Sequence, residues 1–361
     1  MIEIIQSAIT IVLFLFILGV LVIVHEVGHY VAARIAGVRV LEFGIGFPPR
    51  ARVLRSEGET LWTLNWLPIG GFVKLEGEDG DAAEDPRSFS RAPLPTRLII
   101  LVAGVAMNVV LAFVIFTAIA WTGDPTIGIR AGSVDPTSPA AAAGVVPGDI
   151  VVSVDGRYFS AFEGDSLLAE LRDRAGQTVL VGIERDGQTI EKTIMLRPAS
   201  EINDQRGAMG IGELAARTTS KTLGHDLGEA AGLGFERTTT AMGLILGGLG
   251  DLIGAIGRPT EAPPASGPVG IALQIGDVFW TLGPVVTLFL AGVLSANLAI
   301  VNILPLPPLD GGRMLVIVLK SIFGQRLSLR VERMTYLVGF VFLFAFLIWV
   351  TGFDLIRQLG G

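Results

Sequence analysis

The stretch Val20–Val40, VLVIVHEVGHYVAARIAGVRV, closes an apolar run that begins near Ile4. Ionisable groups at membrane depth are costly, so two histidines and a glutamate at the end of such a run point to function. His25-Glu26-x-x-His29 sets two imidazoles at i and i+4, stacked on one helical face. That spacing lets both ring nitrogens reach one tetrahedral Zn2+ at about 2.0–2.1 Å. Glu26 lies beside the pair without being a ligand, placed to take a proton from water and pass it to a leaving amine. The chain has 3 histidines, and the third, His225, is remote in sequence. A helix end whose histidines bond lipid headgroups or backbone is the plainer alternative, and the clustering argues against it.

Composition agrees with a membrane setting. Of 361 residues, 51% are hydrophobic and 17% charged, and the mean hydropathy is +0.62. That is too apolar for an ordinary soluble protein. A formal net charge of -7 argues against a nucleic-acid footprint, which needs a basic face. With no cysteine, a metal must take His and carboxylate ligands.

Three further stretches can cross a bilayer, which takes roughly 20 helical residues. Leu98–Trp121, Leu282–Leu304 and Met334–Phe353 carry no charged side chain. The first run, Ile4–Val24, lacks a basic flank and a small-residue cleavage site, so it is expected to be a retained span. Arg34, Arg39, Arg91 and Arg97 flank the first connection, and Arg313, Lys320, Arg326, Arg330 and Arg333 crowd the last. The positive-inside rule makes both connections cytoplasmic and both termini extracytoplasmic. The long segment between the second and third spans then lies outside. Within it, Gly228–Arg258 carries Glu229, Glu236, Arg237 and Asp251, which suits a pair of amphipathic membrane-surface helices better than a fifth span.

The outer segment opens with short alternating strands and turn signals. Ser138–Gly156, SPAAAAGVVPGDIVVSVDG, shows a small-residue helical turn, a Pro-Gly-Asp turn and a strand closed by Asp155-Gly156. This stretch resembles a PDZ domain, present in one copy, a fold that binds extended peptides at a sheet edge.

A catalytic zinc usually has three protein ligands and an open position. His225 falls on the wrong side of the membrane and is expected to be a solvated linker residue. The better third ligand lies in Asn297–Arg313, NLAIVNILPLPPLDGGR, where Pro305, Pro307 and Pro308 break the third span just before Asp310. Broken backbone at that depth is tolerated only inside protein or beside a wet cavity. The charge count brings Asp310, His25 and His29 to the same membrane face.

These motifs together resemble the site-2 protease family of intramembrane zinc metalloproteases, in its bacterial branch of the regulator of sigma-E protease type. His25-Glu26-x-x-His29 matches its HExxH motif, Asn302-x-x-Pro305-x-Pro307-x-Leu309-Asp310-Gly311 its NxxPxPxLDG motif, and Gly104 to Asn108 its GxxxN motif. PIGGFVKLEGE (Pro68–Glu78) looks like its membrane-re-entrant β-hairpin, and SGPVGI (Ser266–Ile271) like the segment before its third span. Some members of this branch carry two PDZ domains, and this chain shows one.

The resemblance implies zinc on His25, His29 and Asp310, Glu26 as general base and acid, and Asn302 on the substrate backbone or oxyanion. It implies substrate contact by Gly70, Gly71, Phe72 and Val73, which offer an edge strand to an unwound helix. Asn108 is assigned to the substrate-binding set, with an interhelical hydrogen bond as its other reading. The expected fold is a polytopic α-helical membrane protein with four transmembrane helices, a membrane-associated β-hairpin region and one extracytoplasmic PDZ domain. Its divisions are 1–36 (first span), 37–96 (re-entrant β region), 97–122 (second span), 123–200 (PDZ domain) and 201–280 (linker and amphipathic helices). Then follow 281–312 (third span), 313–333 (cytoplasmic loop or helix) and 334–361 (fourth span and tail). The implied function is an intramembrane zinc endopeptidase of a bacterial inner membrane. Its substrates are single-span proteins, namely anti-sigma factors after a first outer cut and remnant signal peptides; its partners also include the lipid bilayer, and no nucleic acid. The alternative is a catalytically silent PDZ scaffold binding membrane-protein tails.

Overall fold

The opening apolar run folds as a single helix, α1 (Ile2–Ile35), long enough to cross a membrane at 1.5 Å per residue. The structure is a computed structural model that describes residues 2–78, 85–162, 166–203, 206–256, 265–323 and 329–359. Two compact units divide the chain. The first comprises Met1–Phe116, Gly234–Gly276 and Leu290–Gly361, and the second Thr117–Leu233 and Asp277–Phe289.

After α1, strands β1 (Val40–Arg55) and β2 (Leu61–Leu75) form an antiparallel sheet that curls on itself. Residues 42–45 of β1 pair with 61–64 of β2 on one side and with 71–74 on the other. Among the described residues, positions 71–75 therefore form an open edge. The sheet packs on α1 through Ala33, Val38, Val40 and Leu75, which are buried with Ile100 and Leu101 of α2 (Leu94–Thr122).

The second unit holds β3 (Asp124–Arg130), β4 (Ser133–Val134), α3 (Pro139–Ala142), β5 (Ile150–Val154) and β6 (Arg157–Tyr158). It continues through α4 (Leu167–Asp173), β7 (Thr178–Arg185), β8 (Gln188–Met195), β9 (Ile211–Gly212) and β10 (Ala215–Leu223). The main sheet runs β10-β3-β5-β7-β8, with β6 on β5, while β4 pairs with β9. Alternating residues of β5 and β7, including Val151, Val181 and Ile183, meet Leu167 and Leu171 of α4 in its core. The turn at Asp155-Gly156 follows its sequence signal, and both it and Asp186-Gly187 take positive φ, as tight hairpins require.

Two expectations are corrected. The sheet does not end at residue 200: β10, placed in the linker by its weak apolar pattern, pairs antiparallel with β3. It reads AARTTSKTL, mostly polar, and its place is set by a partner at the start of the domain rather than by burial. The segment after it forms one helix, α5 (Leu227–Ile256), rather than a pair. Its glycines weaken a helix by roughly 1 kcal/mol each, yet no proline interrupts it.

The remaining helices are α6 (Pro268–Leu282), α7 (Pro284–Ile303), α8 (Asp310–Phe323) and α9 (Leu329–Leu359). Among the described residues, 3–35, 94–122, 284–303 and 334–358 are the 4 helical stretches long and apolar enough to cross a membrane, which makes this a multi-pass membrane protein. The outward side chains of α9, such as Val338, Phe340 and Ile348, are exposed, as lipid-facing residues are. Between α7 and α8 the chain is irregular over 304–309, where Leu306 N–H donates to Leu304 O at 2.7 Å and Leu309 N–H to Leu306 O at 2.8 Å. The prolines there end α7 and deliver Asp310 as the first residue of α8.

Candidate metal centre

His25 and His29 stand on successive turns of α1, both buried, with their ring centroids 4.7 Å apart and their planes 88° to one another. Room for them comes from a close helix crossing. A Cβ on Gly28 would strike the Ala103 carbonyl, and one on Gly104 would strike the His29 ring and lie 2.9 Å from His25 Cε1. The glycine of the second-span motif is thus required by the imidazoles that pack over it.

Asp310 meets the pair from the start of α8. Its Oδ2 lies 2.9 Å from His25 Nε2 and 3.3 Å from His29 Nε2, and the two nitrogens are 3.1 Å apart. Triangle edges of this size suit three ligands each about 2.0–2.1 Å from one zinc ion. Asp310 Oδ2 is buried without a hydrogen-bond partner, an expensive state that a cation relieves. Among the described residues, this is the one cluster of three His, Cys, Asp or Glu side chains within ligand reach. The residues present therefore fit the ion.

The ring tautomers are set from behind. His29 Nδ1 lies 2.9 Å from the Ile100 carbonyl oxygen, so Nδ1 carries the proton and Nε2 presents its lone pair to the centre. His25 Nδ1 lies 3.3 Å from the Asn108 carboxamide. Asn108 is fully buried, and Ser295 Oγ–H donates to its backbone oxygen at 2.8 Å, joining α7 to α2.

Glu26, half-buried on the next position of α1, faces a cavity of about 350 Å3 together with His29, Phe72, Val73, Asp310 and Arg313. Gly71 packs over it: a Cβ there would lie 3.4 Å from Glu26 Cγ and 3.1 Å from the Gly44 carbonyl. Phe72 and Val73 line the cavity, so the open edge of β2 runs beside the centre. Gly70 sits at the bend before that edge with φ 97°, and Asn302 in the last turn of α7, half-buried and outside the cavity lining. His225, expected to be solvated, is partly enclosed, its Nε2 3.7 Å from the buried Asp124 carboxylate.

Two cavity residues carry no sequence signal of their own. Arg313, one turn beyond Asp310, forms an ion pair with Glu78, and Glu78 Oε2 accepts from Leu75 N–H at 3.2 Å. Arg313 reads in sequence as one more loop cation and Glu78 as the last residue of the hairpin-like stretch, followed by further acids. A charged pair predicted at membrane depth is the only cue that could have flagged them.

A His–His–carboxylate cluster with an adjacent glutamate, its two histidines on a helix apolar enough to span a bilayer, has the donor set of a membrane metalloprotease centre. Residues 13–346 match peptidase family M50, and the chain belongs to that family of zinc metalloproteases, the site-2 proteases. It is 31% identical over 373 residues to a candidate zinc metalloprotease of Agrobacterium fabrum, covering 96% of each chain. It is 30% identical over 336 residues to one of Clostridium perfringens, covering 93% of this chain and 95% of that one. Metalloprotease MmpA of Caulobacter vibrioides is 28% identical over 393 residues, covering 95% of this chain and 94% of its own.

Proposed function

We propose that the protein is an intramembrane endopeptidase that cuts single-span membrane proteins within or beside the bilayer. The observation that carries this reading is the convergence of His25, His29 and Asp310 beside Glu26, with an open β edge along the same cavity. Zinc, when bound by the three ligands, polarises the scissile carbonyl and activates water for attack. Glu26 takes the proton from the attacking water and returns it to the leaving amine. His29 is held in its ligating tautomer by the Ile100 carbonyl. Asn108 does the same for His25 once its carboxamide oxygen faces the ring, an orientation related by a half-turn that gives its otherwise unpartnered Oδ1 the Nδ1–H. Asn108 is then a positioning residue rather than a substrate contact.

The substrate must unwind first, since a helix presents no free amide edge. Gly70, Gly71, Phe72 and Val73 offer the edge on which the extended segment pairs, and Asn302 holds its backbone or the developing oxyanion. In this reading the β domain is a PDZ domain outside the membrane that filters substrates by size, both termini lie outside, and the membrane is a bacterial inner one. The substrate class is anti-sigma factors after a first outer cut, with remnant signal peptides.

The test pairs metal analysis of the purified chain with cleavage of a single-span reporter by wild type and Glu26→Gln. One zinc per chain in both, with cleavage reduced by about 10²–10⁴-fold in the variant, is expected. Equal cleavage sinks the mechanism, and a wild type without zinc or cleavage favours a silent scaffold.

A further inference from the structure

The ion pair between Arg313 and Glu78 has no part in the chemistry above, yet it spans the same cavity. Arg313 belongs to α8, one turn past the ligand Asp310. Glu78 lies three residues past the end of β2 and folds back on it. Glu78 N–H donates to Leu75 O at 3.4 Å while its Oε2 accepts from Leu75 N–H at 3.2 Å. One carboxylate thus ties the helix that presents a metal ligand to the last residue of the edge strand.

The second bond has a consequence for pairing. Along a strand, the amides of residues i and i+2 point to the same edge. Leu75 N–H goes to a side chain rather than to β1, so the amides sharing its edge are those of Val73 and Gly71. Gly71 sits directly over Glu26, and Val73 lines the cavity. A strand added there can use the groups at Gly71 and Val73 and is stopped at Leu75, where the donor is already taken.

We propose that the Arg313–Glu78 pair is a positioning device that pins the open edge to α8 and sets the register of the incoming substrate strand, and hence the bond that is cut. This rests on the endopeptidase reading. Registers differing by two residues keep every side chain on its proper face, so an edge without a stop allows slippage in steps of two.

The experiment uses the full chain in lipid vesicles. Because the protein has no cysteine, Lys74→Cys gives a single reporter on the edge. In a Glu26→Gln background, disulfide trapping against single-cysteine substrates maps which substrate position lies beside residue 74. One dominant position is expected. Adding Glu78→Ala spreads trapping over positions two residues apart, while Glu78→Gln, which keeps an acceptor for Leu75 N–H, spreads it less. In the active chain Glu78→Ala and Arg313→Gln cut about 10–100-fold more slowly, as expected for a reacting group displaced by about 1 Å, and Glu78→Ala cuts at more than one bond. Zinc content stays at the wild-type level. Unchanged trapping in Glu78→Ala, or loss of zinc from either variant, overturns the inference. If the wild-type chain cuts no single-span substrate, the endopeptidase reading itself has failed.

Discussion

Asp149 and Asp310 are both carboxylates drawn out of water, one in the β domain and one beside the apolar helices, and their surroundings could hardly differ more. Asp149 is buried at 1% exposure and fully satisfied: Arg185 donates to it from Nε and Nη2, both at 2.7 Å, and Val146 N–H donates at 2.9 Å. Asp310 has a buried Oδ2 with no donor, held 2.9 and 3.3 Å from two imidazole nitrogens. A fold that completes one buried carboxylate and leaves the other open has kept the second for something outside the chain. Asp149 is explained by the domain it closes, Asp310 by a cation that it can hold with the two histidines.

Removing the open carboxylate breaks that contrast most severely. Asp310→Ala is expected to lower bound zinc to background and abolish cleavage of a single-span reporter, as judged by metal analysis and gel assay. Gly104→Val probes the same centre from the opposite side. Its new side chain must enter the space of the His25 and His29 rings, where even a Cβ does not fit. Loss of zinc with a preserved helical circular-dichroism signal is expected, and a zinc-replete Gly104→Val chain would show that the rings have another way to pack. Asn108→Ala comes next. It leaves all three ligands in place and releases only the His25 ring, so zinc affinity by chelator competition falls by about 10–100-fold, the usual cost of losing such a partner.

How much of this was legible before the fold is a matter of range. The spacing of His25, Glu26 and His29 is read at once, because an α-helix fixes where i and i+4 point. Asp310 lies nearly the whole chain away, and it was brought to the histidines by the loop charges, read as putting both helix ends on one side, and by the resemblance of the motif around it. The Glu78–Arg313 pair was out of reach. Its partners are 235 residues apart, and each alone looks like an ordinary surface charge. Strand β10 was missed for a related reason: AARTTSKTL has no buried face to impose a period, so its strand character comes from β3 and not from itself. Hydrophobic periodicity predicts elements that choose their own surroundings and is silent on those chosen by a distant neighbour.

Asp149→Asn is the gentlest test, and it checks the satisfied side of the contrast. Burial pushes the Asp149 carboxyl up, but the Arg185 guanidinium and the Val146 amide outweigh it and leave the group below the usual carboxylate range. Asp135, bonded by the Thr137 amide and hydroxyl and by Arg197, is likewise lowered, to about 2. A carboxylate whose folded value is depressed contributes stability that is present above its unfolded value of about 3.9 and is lost as the pH falls through the folded value. Thermal stability of the β domain should therefore be flat near neutrality and decline below about pH 4, with the Asp135 contribution gone near pH 2. Asp149→Asn should lower stability at pH 7 by about 1–3 kcal/mol, because Arg185 keeps its charge and loses its partner. The variant should also show a shallower acid decline, since one carboxylate whose folded value is lowered has been replaced. Zinc content should not change. If Asp149→Asn released the metal as well, the two carboxylates would not be doing separate work, and the distinction between a completed site and an open one would lose its physical basis.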